Sequence, residues 1–105
     1  MYGTVTRYRI KPGAEATLVA LGRELADNPP PGLVAGYIYR LDSGDNEYVS
    51  AAIYTDRDTY RKNSDNARQQ QWFQRLRQVL VGEPEWNDGE VIHAANPATA
   101  GATAS

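Results

Sequence analysis

The run Asp27-Asn28-Pro29-Pro30-Pro31-Gly32 sets three consecutive residues that lack an amide donor, each with φ held at about −65°, in front of a glycine. No helix or central strand continues through such a run, so it divides the chain. Upstream, Leu18, Leu21 and Leu25 recur at i, i+3 and i+7, one stripe of a helix over 14–26, with Glu15, Arg23 and Glu24 left for solvent. Before that helix, 2–10 is rich in Thr, Val, Tyr and Ile and is stopped by Lys11-Pro12-Gly13, which reads as a strand and its turn. Downstream, 33–41 and 48–55 flank the turn cluster Asp42-Ser43-Gly44-Asp45-Asn46, the pattern of a β-hairpin with a longer loop.

Asp56 is placed to cap a short helix ending near Asn63-Ser64. Asn66 with Gln69 three residues on resembles a capping box that opens the longest helix, 67–81, with Phe73, Leu76 and Leu80 on one stripe and Trp72 and Val79 beside it. Gly82 and Pro84 end that helix, and 86–93, centred on Val91-Ile92, reads as a last strand. The order β-α-β-β-α-β predicts an α+β, ferredoxin-like split fold: an antiparallel four-stranded sheet with its helices on one face. The other face is left uncovered, and a second copy of the chain is the simplest cover for it, which predicts a homodimer through the sheet face. Residues 1–93 make up the domain; 94–105, built of Ala, Thr, Gly, Ser, Asn and Pro, reads as a flexible tail.

A chain of 105 residues fits one domain. Its 11 Lys+Arg against 13 Asp+Glu leave a formal net charge of −2, spread along the chain, so a phosphate backbone finds no basic footprint and no nucleic acid is expected as partner. No window approaches the roughly 20 apolar residues of a membrane span, and the first residues lack the apolar stretch of a signal peptide; no membrane and a cytoplasmic location are expected. The absence of cysteine removes disulfides, thiolate nucleophiles and cysteine metal sites. The single His93 cannot build a multi-histidine centre, and Glu83, Glu85, Asp88 and Glu90 read as solvated charges around a strand, so no metal is expected.

Seven of the aromatic residues are Tyr, and Tyr2, Tyr8, Tyr37, Tyr39, Tyr48 and Tyr54 fall on strands. A ring with a hydroxyl suits a pocket for a flat aromatic ligand, and equally a sheet surface or an interface. Arg7 and Arg9 share one face of the first strand; an arginine there either awaits an anionic ligand or sits in a surface or interface ion pair. Asn63 and Trp72 lie at the break between the short and the long helix, where a carboxamide and an indole N–H can hold a substrate oxygen, or where one ends a helix and the other fills the core. No hydrolytic triad accompanies Ser50 or Ser64, no glycine-rich phosphate loop is present, and no nucleotide cofactor is indicated.

The residues from Val5 to Gly13 ending in Lys11-Pro12-Gly13, the exit Tyr54-Thr55-Asp56 into a helix with Tyr60, and Asn63-Ser64 followed by Trp72-Phe73, Leu76 and Leu80 resemble the antibiotic biosynthesis monooxygenase family of the dimeric α/β-barrel superfamily. The resemblance covers about 1–93. It implies a barrel formed by two facing sheets, and a pocket between each sheet and its own helices. It further implies a monooxygenase without cofactor, in which a deprotonated phenolic or enolic, polyketide-like aromatic molecule reacts with dioxygen and the protein desolvates and stabilises the anion. On that reading Asn63, Trp72 and Arg7 are the catalytic positions, and Tyr8, Tyr37, Tyr39, Tyr54, Tyr60 and Phe73 line the substrate. The haem-degrading branch needs an Asn on the first strand and a His on the last helix; here the strand offers Thr4, Thr6 and Tyr8, and 67–81 holds no His. The alternatives are a non-oxidative binding protein or cyclase of the same fold, and a core filled completely by Tyr and Trp.

Overall fold

The computed structural model describes residues 1–42 and 44–95. In chain order it forms β1 (Tyr2–Arg9), α1 (Glu15–Asp27), β2 (Leu33–Arg40), β3 (Glu47–Tyr54), α2 (Arg57–Ser64), α3 (Ala67–Arg77) and β4 (Glu85–Glu90). The strands make one antiparallel sheet in the order β2-β3-β1-β4. This is the α+β, ferredoxin-like plan expected from the sequence. Most of the tail expected over 94–105, and Ser43 of the turn cluster, lie outside the described residues.

Side chains alternate across a strand, and β1 shows it: Thr4, Thr6 and Tyr8 are buried while Val5, Arg7 and Arg9 are exposed. The register Thr4↔Ala52, Thr6↔Ser50 and Tyr8↔Tyr48 continues the buried face onto β3. Under the helices Tyr8, Ile10 and Tyr48 pack with Leu18 and Leu21 of α1, Leu76 of α3, and Val79 and Leu80. Ile10 and Leu18 are the largest side chains sealed completely, each contributing about 1.5–3 kcal/mol of apolar burial.

Two elements depart from the sequence reading. α3 stops at Arg77 rather than 81 because Val79 to Val81 peel away to bond β1: Lys11 N–H donates to Val79 O at 2.8 Å, and Val81 N–H to Arg9 O at 2.8 Å. Leu80 pairs with Ile10 in the same way, so the stripe residue serves a strand end instead of a helix. The last strand is Glu85–Glu90, not 86–93, and every residue in it is exposed. It pairs with β1 through the backbone ladder, while Val91 and Ile92, the β-branched pair on which the expected strand is centred, lie beyond it, with Ile92 95% exposed. The capping box is also incomplete: the Asn66 side chain accepts from Arg68 N–H at 2.8 Å, one residue earlier than that motif requires.

Candidate functional site

The connection carrying the three prolines fixes the start of α2. Gly32 has φ +82°, and a Cβ there would lie 2.2 Å from Thr59 Cγ2, so only glycine fits both the turn and the helix pressed against it. Thr55 N–H closes this join on Gly32 O at 2.9 Å. Asp56 then caps α2 by accepting from Thr59 N–H at 2.7 Å, and that backbone bond holds its carboxyl below the usual range.

Tyr60 and Asn63, three apart on α2, face the sheet together. Asn63 Nδ2 donates to the Tyr54 hydroxyl at 2.8 Å. The Tyr60 ring lies 5.4 Å from Tyr54, edge-on, and 5.3 Å from Tyr2. Its hydroxyl donates to Asp88 Oδ1 at 3.1 Å. Burial first, then the Asp88 charge, pushes the Tyr60 phenol up to about 12, and burial also raises Tyr54. Both phenols therefore stay protonated near neutrality and act as hydrogen-bond partners rather than as bases. The Thr4 hydroxyl faces Tyr60 and tempers that rise, yet it makes no hydrogen bond of good geometry; it is a buried oxygen without a partner among the described residues.

A cleft of about 650 Å³ opens between the end of α1, the proline connection and α3; no strand residue lines it, so it is not the space between sheet and helices that the resemblance implied. Asn63 and Trp72 both line it. Trp72 does not offer its N–H to the cleft: Nε1 donates to Leu21 O at 2.9 Å and ties α3 to α1, so the indole presents ring surface. The carboxamide of Asn63, held at one N–H by Tyr54, keeps its second N–H and its oxygen for other partners.

The remaining expected site residues are dispersed. Tyr8 is buried against Tyr48, rings 6.3 Å apart and stacked, with its hydroxyl bonded to Ser50. Phe73 packs on Trp86 of β4 at 5.3 Å beneath the Arg77 guanidinium. Arg7 points to the opposite face of the sheet, where Glu47 pairs with it at 2.8 Å and with Arg9 at 2.7 Å. Those two guanidiniums hold the Glu47 carboxyl below its usual range. Tyr37 and Tyr39 share that face, 64% and 53% exposed. Within one chain Asn63 thus joins Tyr54 and Tyr60 on one side and shares the cleft with Trp72 on the other, neither tyrosine lining that cleft, while Arg7, Tyr37 and Tyr39 lie across the sheet.

Asp88 enters the sequence reading only among the solvated charges of 83–90, and Thr4 only as a residue of the first strand. They are brought side by side by the pairing Thr4↔Asp88, invisible while the last strand was centred on Val91-Ile92. The other residues of the 83–90 segment disperse: Glu83 pairs with Arg77 at 3.2 Å and Asn87 donates to Val5 O at 3.1 Å. Among the described residues no three His, Cys, Asp or Glu side chains converge as a metal centre requires, and no helix is long and apolar enough to cross a membrane.

With this geometry in place the likeness to known structures is specific. The chain is similar to SnoaB, a cofactor-independent oxygenase from Streptomyces nogalater: a mutant of that protein superposes with a TM-score of 0.74 at 23% identity, over 89% of this chain and 94% of that one. It is similar to a protein identified as an antibiotic biosynthesis monooxygenase, with a TM-score of 0.70 at 15% identity over 89% of this chain and 100% of that one. A conserved protein from Methanosarcina mazei Go1 matches with a TM-score of 0.74 at 15% identity, over 85% of this chain and 90% of that one. No protein-family model matches the sequence, and no curated protein does. The chain has the fold of the antibiotic biosynthesis monooxygenase proteins, as the sequence motifs implied.

Proposed function

We propose that the protein is a cofactor-independent monooxygenase acting on a small planar aromatic metabolite with a phenolic or enolic group, and that it works as a homodimer joined through the open sheet face. The observation that carries this reading is the anchored carboxamide of Asn63 at the wall of a cleft whose volume falls in the range of small-molecule sites. The shared fold with a cofactor-independent oxygenase supports it.

In this reading the substrate anion places its oxygen on the free N–H of Asn63 and its ring on Trp72. A directed N–H in a partly dry cleft stabilises the phenolate or enolate, which is the form that gives electrons to dioxygen. The phenol or enol gives its hydroxyl proton to solvent water as the anion forms. One oxygen atom of dioxygen then ends in the substrate as a carbonyl and the other leaves as water, which takes up that proton together with the hydrogen lost from the reacting carbon, and the substrate supplies the electrons. The protonated phenols of Tyr54 and Tyr60 hold the site without removing a proton. Arg7, Tyr37 and Tyr39 belong to the dimer face in this scheme, where Tyr37 and Val5 supply apolar surface.

An oxygen electrode tests it with an anthrone and with 1-naphthol. Uptake that follows enzyme concentration and fails in Asn63→Ala supports the reading; ring closure of an open-chain poly-β-keto thioester under strict anaerobiosis, with no uptake on the anthrone, makes the protein a cyclase, and saturable binding without turnover makes it a binding protein.

A further inference from the structure

Asn63 occupies one end of the cleft, and most of its length runs on along α3. There Gln71, Gln74 and Gln78 recur at i, i+3 and i+7, which places their carboxamides in one stripe about 10 Å long. Asn28, Asn66 and Gln69 add further amides at the Asn63 end. One of the charges in the cleft is paired, and another is held by a backbone carbonyl. Arg75 forks onto Glu24, with Nη1 3.0 Å from Oε1, and Arg68 donates to Asn28 O at 2.8 Å. Arg75 foremost, with Arg68 behind it, holds the Glu24 carboxyl below its usual range. With Asp27, two carboxylates balance two guanidiniums and the lining is neutral as a whole.

A carboxamide offers both a donor and an acceptor, as a hydroxyl does, so a row of them matches a row of hydroxyl groups. An anion meets no net positive charge here, with Arg75 spent on Glu24 and Arg68 held on the Asn28 carbonyl, and an apolar ligand would bury amides without replacing their bonds to water. We propose that this stripe binds the neutral sugar of a glycoside, with the planar aglycone lying toward Asn63 and Trp72. The placement of the aglycone rests on the oxygenase reading; the sugar site stands on the amide stripe and the balanced charges.

The test uses arbutin, a phenol carrying one glucose, against hydroquinone and 4-hydroxybenzoate, followed by side-chain amide signals in nitrogen-15 NMR titrations of the full chain. Arbutin is expected to bind about tenfold tighter than hydroquinone, roughly 1.4 kcal/mol, and to shift the amide signals of Gln71, Gln74 and Gln78. Gln74→Ala and Gln78→Ala, exposed changes to a strong helix former, should bring the ratio of the two affinities toward one. Equal binding of arbutin and hydroquinone, preference for the anionic benzoate, or no detectable arbutin binding overturns the proposal. Oxygen uptake with the anthrone, recorded in parallel, keeps the two readings apart: arbutin binding without uptake on the anthrone removes the oxygenase and leaves the sugar site.

Discussion

Asn63 Nδ2 and the Tyr54 hydroxyl meet at 2.8 Å across the gap between α2 and β3, so a buried phenol sets the orientation of a carboxamide at the wall of a cleft. Removing the donor and removing its anchor should therefore differ in degree. Asn63→Ala is expected to lower kcat on the order of 10²-fold, the scale of losing one directed donor to a developing charge. Tyr54→Phe keeps the ring against Tyr60 and loses only the anchor, so a smaller fall in kcat with little change in KM is expected. Steady-state oxygen uptake for both variants checks the order.

Trp72→Phe removes the bond from the indole N–H to Leu21 O while retaining an aromatic ring. A loss of about 1 kcal/mol in stability is expected, the net value of one part-buried hydrogen bond. Urea unfolding measures it, and an unchanged midpoint would show that the tether contributes nothing.

Thr4→Val replaces a buried, partnerless hydroxyl by a methyl group of the same shape. A gain of about 1 kcal/mol is expected, because the desolvation of that oxygen is uncompensated. A loss of stability in the same unfolding experiment would mean that the hydroxyl has a partner after folding.

The phenol of Tyr60, pushed up to about 12 by burial and by Asp88, ionises later in the folded chain than in the unfolded one, where the value is near 10.0. The folded state thus holds the proton longer. The corresponding stability is present below pH 10 and is lost as pH rises through about 12. Asp88→Asn removes the charge and should bring the Tyr60 transition down, read as a phenolate absorbance appearing at lower pH than in the parent.

Val5→Asp and Tyr37→Asp place a charge on the open sheet face, where both residues are exposed in the single chain. If that face joins two copies, each variant should sediment as a monomer with its fold intact. A parent that itself sediments as a monomer at micromolar concentration would remove the dimer from the proposed function.

The sequence announced the strands and helices that bury large side chains. Leu18 and Leu21 at helical spacing, and Tyr8 and Ile10 at strand spacing, are the same residues that form the core. It misplaced β4 because that strand, Glu85–Glu90, has no fully buried side chain and carries charge and glycine; its pairing with β1 is chiefly a backbone matter that side-chain pattern does not record. Asn63 was legible at the end of the short helix and Tyr54 at a strand exit, whereas Trp72, read at the helix break, lies in the middle of α3. Arg7, Tyr37 and Tyr39 were not separable from them, since alternation tells which residues share a face and not which face the helices cover. The glutamine stripe was open to the same periodicity count that found the leucines, applied to polar residues instead.

β4 carries Glu85, Asp88 and Glu90 along the rim of the sheet, and all of it is exposed. Two such rims brought together would set like charges against like and leave their backbones unpaired, a barrier to end-to-end growth that natural sheets commonly build into their margins. If two copies join through the open sheet face, that association is self-limiting and closes on itself, whereas fibre-like extension through β4 is opposed from the outset.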